Sequence, residues 1–200
     1  MKNLKAIIFI SVLSLFCVVL LTYVYQFSKP IIEENENMDI IKNVLYSFDI
    51  EYSEEMTKER IKALFQENIE EKKVNDLLYY VNEKNGEKRY GFPIVAKGLW
   101  GLIYGFISIN SDLKTVYRVT FSKHQETPGL GALIDEESYK SKYYNLSLYD
   151  ESGKFGILSK KNDGKKFINS VDSITGATLS SDGVVAGINA TLKNYLKLLK

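Results

Sequence analysis

Residues 77–121 read LLYYVNEKNGEKRYGFPIVAKGLWGLIYGFISINSDLKTVYRVTF. Four runs in this stretch, 77–81, 90–95, 102–109 and 115–121, are dense in aromatic and β-branched residues, the types that fit a pleated, half-buried surface. Asn85-Gly86 separates the first two and has the composition of a two-residue hairpin turn. Asn110-Ser111-Asp112 makes another turn before the last run. Strands joined by such short turns pair antiparallel. This region therefore predicts an antiparallel twisted sheet.

Working outward, the flanks change period. Downstream, residues 135–142 predict a short helix, and 155–158 and 166–168 are short strand candidates. The stretch 179–199 carries Val184, Val185, Ile188, Leu192, Leu196 and Leu199, an amphipathic helix. Upstream, Ile61, Leu64 and Phe65 lie inward on a helix predicted from Ser53 or Thr57 to about Ile69. Before it, Ile31, Ile32, Met38, Ile41, Val44, Leu45 and Phe48 recur at roughly helical spacing, and Pro30 suits the first turn of a helix. The fold class is α+β: an antiparallel twisted sheet with flanking helices, preceded by one N-terminal transmembrane helix.

That first helix is the segment 6–25, AIIFISVLSLFCVVLLTYVY. No charge interrupts it, and about 20 apolar residues span a bilayer. No small-x-small cleavage site follows, so it reads as an anchor and not as a removed signal. Tyr23 and Tyr25 stand where an interfacial aromatic belt falls, and Lys2 and Lys5 precede the helix. The positive-inside rule then places the N-terminus in the cytoplasm and the rest across the membrane. The expected organisation is 1–5 cytoplasmic, 6–25 in the membrane, 26–75 a helical stalk, and 76–200 an extracytoplasmic domain, single-pass in a bacterial inner membrane.

Composition narrows the chemistry. Charged residues are 26% of the chain and the formal net charge is +1, so no strong field selects nucleic acid. The chain has one cysteine, Cys17, and one histidine, His124. An internal disulfide, a Cys/His zinc site, a cysteine-ligated iron–sulfur cluster and a bis-histidine haem are all excluded. Redox chemistry here would need an organic cofactor.

Three segments can carry such chemistry. Asp172-Ser173-Ile174-Thr175-Gly176-Ala177-Thr178 runs into the last helix, where free amides and the helix dipole favour a phosphate. On spacing alone an ordinary Ser/Thr-rich helix cap is the better explanation, since such caps are common. His124-Gln125-Glu126-Thr127-Pro128-Gly129-Leu130-Gly131 follows a strand, and Pro128-Gly129 demands a tight turn; a plain loop is the alternative, and His124 receives no role. Lys97-Gly98-Leu99-Trp100-Gly101 holds the one tryptophan, which would suit a wall against a flat ring; taken alone, a core position at a hairpin end is the favoured reading.

Taken together, the three segments resemble the FMN-binding domain family, in the form found in the C subunit of the sodium-translocating NADH:quinone reductase and in the G subunit of the Rnf complex. The segment D-S-I-T-G-A-T is similar to that family's flavinylation motif. The other two segments, and Lys29-Pro30 through Asn35 after the membrane helix, match its remaining signatures. The resemblance implies that a flavin transferase, with FAD as donor, attaches FMN through its phosphate to Thr178. It implies that Leu99, Trp100, Thr127, Gly129, Leu130 and Gly131 line the flavin, with Glu126 and Lys97 as further candidates. Ser173, Thr175, Gly176 and Ala177 would surround the phosphate, and Asp172 would position the loop or cap a turn. No metal ligand and no catalytic residue is expected.

The implied role is a membrane-anchored flavoprotein relaying single electrons beside the other subunits of an NADH:quinone reductase complex. No G-x-G-x-x-G opens a βαβ unit, so NADH is expected to bind elsewhere. Two alternatives stand: an Rnf-type G subunit, and a flavin-free anchored binding or scaffold module.

Overall fold

The computed structural model describes residues 2–84, 86–161 and 167–199. It divides into two compact units, Met1–Asp39 and Ile40–Lys200. The described part of the first unit lies wholly on helix α1, Lys2–Ser47. Its window of highest mean hydropathy reaches 2.8 with no residue buried, which makes α1 the one helix among the described residues long and apolar enough to cross a membrane. Side chains such as Phe9, Phe16, Leu21 and Phe27 stand open, an arrangement that water disfavours and lipid does not. Pro30, expected to open a new helix, lies inside α1. Its fixed φ matches the helix, and it forfeits one backbone bond in a helix of 46 residues.

The second unit is built on five antiparallel strands in sequence order: β1 Glu70–Val74, β2 Leu77–Lys84, β3 Glu87–Lys97, β4 Leu102–Asn110 and β5 Val116–Lys123. The four strand runs and the turn at residues 110–112 stand as the sequence predicts. Of the hairpin turn between β2 and β3, Gly86 takes φ +80°, and Asn85 lies outside the described residues. β1 is a strand the sequence does not announce. Its residues Glu70, Glu71, Lys72 and Lys73 pair with Val81, Tyr80, Tyr79 and Leu78. Charged side chains suit an edge that must not recruit another strand.

Each face of the sheet is covered by helix. On one, Phe92, Ile94, Ala96, Ile103, Ile107 and Ile109 join Val184, Ile188, Leu192 and Tyr195 of helix α4, Thr178–Leu198, in a continuous core. The rings of Phe92 and Tyr195 lie 4.5 Å apart. On the other, Phe48 packs against Gly91, and Ser108 donates to the carbonyl of Ser47. Thr120 donates to Asn43 at 2.8 Å. Helix α2, Lys58–Asn68, opens with its Thr57 cap on Arg60 and brings Phe65 edge-on to Tyr80 at 6.1 Å.

The predicted short helix at residues 135–142 resolves into a 3-10 turn Gly131–Asp135, helix α3 Glu137–Lys140 and a second 3-10 turn Ser141–Tyr143. Tyr46 and Tyr144 both donate to the Glu137 carboxylate. The Tyr46 hydroxyl, ahead of burial and Tyr144, dominates its environment and holds it below the usual carboxylate range. Burial pushes the Tyr144 hydroxyl up.

The late strands fall elsewhere than expected. A parallel pair forms from β6 Leu158–Lys160 and β7 Ser170–Asp172. Phe155 makes only an isolated bridge to Tyr149, Phe167 and Ile168 are exposed, and Lys166 lies outside the described residues. Polar groups, not apolar runs, select this register: the buried Asn169 donates to the Gly156 carbonyl at 2.7 Å, and Asn189 of α4 accepts from the Ile157 amide at 2.8 Å.

Helix α4 meets β3 at two glycines. A Cβ on Gly183 would overlap the Lys97 carbonyl, and one on Gly187 would overlap Ala96. Gly183→Ala is therefore expected to destabilise the domain by about 1–3 kcal/mol through overpacking, despite alanine's higher helix propensity. Urea unfolding measures it, and a raised midpoint would contradict the packing described.

Candidate functional site

The packing of α4 on β3 brings the three marked segments to one end of the sheet. The first is a turn. Ala177 N donates to Ile174 O at 2.9 Å, with Thr175 and Gly176 between them and Gly176 at φ +81°. This backbone demands glycine at its third residue. Ser181, one turn into α4 and buried, secures it: its hydroxyl accepts from Ile174 N at 3.0 Å and donates to Ala177 O at 3.2 Å. Ser173 is buried and donates to Lys160 O at 3.0 Å, and its oxygen lies 3.0 Å from that of Ser159. Asp172 closes β7, half-buried, with its carbonyl accepting from Lys142 at 3.1 Å.

Thr178 is the first residue of α4 and is exposed. Its hydroxyl makes no hydrogen bond to another described residue. The amides of this first turn have no intrahelical acceptor, so an anion placed at Thr178 would meet N–H donors and the positive end of the dipole.

The second segment also turns on a glycine. Leu130 N donates to Thr127 O at 3.1 Å, with Pro128 and Gly129 between and Gly129 at φ +74°. Leu130 leans over the first turn, 3.2 Å from where a Cβ on Gly176 would be. The third segment closes between β3 and β4, where Gly98 N donates to Gly101 O at 2.8 Å. It presents Leu99 and Trp100 outward, 54% and 64% exposed. Leu130 and Leu179 are exposed as well. Trp100 is thus not a core residue, and four large apolar side chains of these segments stand in solvent.

Behind them sits Glu126, 5% exposed. It accepts from Trp100 N at 3.1 Å and from the hydroxyl of Ser180. Gly131 is buried against Glu126 and Ser180. Among the candidates, then, Leu99, Trp100, Thr127, Gly129, Leu130, Thr175, Gly176 and Thr178 reach the surface, as does Lys97. Glu126, Gly131, Ser173 and Ala177 are buried and support it.

Residues 98–193 match the family described as the FMN-binding domain. Among curated proteins, the chain is similar to the C subunit of the Na(+)-translocating NADH-quinone reductase of Yersinia pestis. That match is 35% identical over 116 residues, 56% of this chain and 43% of the relative. The protein of the same name from Pseudomonas aeruginosa is 38% identical over 96 residues, 46% of this chain and 37% of the relative. The chain spans about half the length of the curated relatives it matches.

Among solved structures, the C subunit of the Na(+)-translocating NADH-quinone reductase of Parabacteroides distasonis superposes with TM-score 0.74 at 26% identity, covering 86% of this chain and 96% of that one. NqrC of Shewanella oneidensis shares the fold, with TM-score 0.63 at 20% identity over 80% of this chain and 96% of that one.

Sequence reasoning passed over the residues that hold these loops in place: Ser159, Ser180, Ser181 and Asp182. The signal was present for two of them. Ser180 and Ser181 precede Val184 by four and three positions, so they fall on the inward face of α4. Ser159, which donates to Asp182, had no such signal, because β6 is defined only by its pairing.

Ser181→Ala removes both hydroxyl bonds that secure the 174–177 turn. Stability should fall by about 1–3 kcal/mol, the cost of leaving the buried Ile174 amide unpaired. Hydrogen exchange at Ile174 should accelerate, and unchanged protection there would count against this role.

Proposed function

We propose that this chain is a membrane-anchored flavoprotein subunit of a sodium-translocating NADH:quinone reductase-type complex, with FMN joined through its phosphate to Thr178. One observation carries the reading: at the first residue of a 21-residue helix stands an exposed hydroxyl with no hydrogen bond to another described residue, and the three marked segments that meet there leave Leu99, Trp100, Leu130 and Leu179 exposed.

The donors fit the group. A phosphodiester keeps one negative charge, which the helix N-terminus favours. The apolar side chains offer flat area for a ring system that would otherwise meet only water. Gly176 leaves the approach clear of a side chain.

Attachment is a phosphoryl transfer from FAD. The Thr178 oxygen–phosphorus bond forms, the pyrophosphate bond breaks, AMP leaves, and the hydroxyl proton passes to a base of the flavin transferase or to water. Thr178 needs no activating base of its own, because the transferase and its metal supply activation. When bound, FMN supplies one-electron redox chemistry; this chain's residues bind it, orient it and shield one side from water. NADH oxidation and sodium movement are assigned to other subunits.

Covalent attachment answers a physical need if the domain lies outside the cytoplasm, where a dissociated cofactor would be lost. In this reading residues 6–25 anchor the chain, Lys2 and Lys5 hold the N-terminus inside, and the sheet domain faces the periplasm or outer surface.

Co-expression with a flavin transferase should give a denaturing-gel band that fluoresces under ultraviolet light, and Thr178→Ala should abolish it. A band that survives the substitution, or none from the unaltered chain, would sink the tether. For orientation, alkaline phosphatase fused to the C-terminus should be active, and activity of a cytoplasm-only reporter in its place would overturn the assignment.

A further inference from the structure

Glu126 is the least expected group in the site. Taking a carboxylate out of water is unfavourable unless its oxygens are satisfied, and Glu126 is 5% exposed. No basic side chain among the described residues makes an ion pair with it. Its two oxygens instead serve two different segments. One accepts from the Trp100 amide at 3.1 Å, in the loop between β3 and β4. The other accepts from the hydroxyl of Ser180, two residues past Thr178.

The space for this arrangement is made by two further glycines. A Cβ on Gly98 would overlap one Glu126 oxygen, and a Cβ on Gly131 would overlap the other. The backbone of Glu126 is fixed from its far side. Its amide donates to His124 Nδ1 at 3.2 Å, and His124 Nε2 lies 2.7 Å from the Asp135 carboxylate. A group buried at this expense, with the backbone of three segments shaped around it, does more than fill volume.

We propose that Glu126 is a positioning residue whose carboxylate latches the Trp100 loop to the first turn of α4, so that the aromatic wall and the Thr178 hydroxyl are held as one surface. The proposal deepens the flavin reading and rests on it for its consequence, though not for its first measurement. Without the latch, the short loop 98–101 keeps only its own closing bond. Trp100, 64% exposed, then loses the carboxylate that ties its amide to Ser180 of α4.

Trp100 is the only tryptophan, so its emission reports this loop alone. In the full chain carrying Thr178→Ala, which needs no flavin, time-resolved anisotropy compares Glu126→Ala, Ser180→Ala and Glu126→Gln. The amplitude of fast depolarisation should rise about twofold in Glu126→Ala, since a released loop moves on the nanosecond scale. Glutamine can accept from Trp100 N and donate to Ser180, so Glu126→Gln should match the parent.

In chains retaining Thr178, flavinylation by purified transferase with FAD should slow about tenfold in Glu126→Ala, the scale of losing a hydrogen bond to a buried charged group. It should slow less in Ser180→Ala and stay within about twofold in Glu126→Gln. Should Glu126→Ala fail to fold, Ser180→Ala carries both measurements. Parental Trp100 anisotropy in a folded Glu126→Ala or Ser180→Ala chain would overturn the latch, as would a Glu126→Gln chain as mobile as Glu126→Ala. The tether is judged separately, by the gel band of Thr178, so its failure and that of the latch are distinguishable.

Discussion

The close approach of α4 to β3 governs the rest of the domain. Gly183 and Gly187 let the helix backbone settle on the strand at Lys97 and Ala96. With side chains there, the helix would stand off by the width of a methyl group, and interiors tolerate little of that. The same contact sets the site. The helix begins at Thr178 and the strand ends at Lys97, so bringing the two backbones together brings a hydroxyl and a tryptophan loop to one end of the sheet.

At that end the packing material changes. The core under the sheet is aliphatic and aromatic, whereas the ground beneath the loops is hydroxyl-rich. Ser173, Ser180 and Ser181 are nearly inaccessible, and each bonds a backbone group or a carboxylate. Tight turns leave amides and carbonyls without ladder partners, and buried ones must find side chains. Small hydroxyls meet that need in little volume. Apolar bulk is displaced outward, to Leu99, Trp100, Leu130 and Leu179, which stand exposed.

The legible parts of this fold are those with strong periodicity. Strands β2 to β5, helix α2 and helix α4 follow from alternation, β-branching and the 3.6-residue repeat, which act through the chain's own neighbours. What escaped depends on partners. β1 is a run of charged residues, and only pairing with β2 makes it a strand. β6 and β7 are three residues each and take their register from two asparagines, Asn169 beside β7 and Asn189 on α4, that bond the backbone just before β6. Pro30 reads locally as a helix start, yet the helix runs through it because the turns on both sides hold.

The same division runs through the site. The sequence by itself determined the glycine-bearing turns, because Gly176 and Gly129 occupy left-handed backbone that other residues resist, and it determined the long apolar helix, since length and lack of charge suffice for that. It also marked Thr178, Trp100 and Leu130 through their segments. Only the tertiary structure decided which of the marked residues face outward and which support from behind. Glu126 and Gly131 read as lining and lie buried; Trp100 could have been core and is open. Exposure depends on contacts between segments tens of residues apart, here a carboxylate shared by Trp100 and Ser180, and no local pattern encodes such a contact.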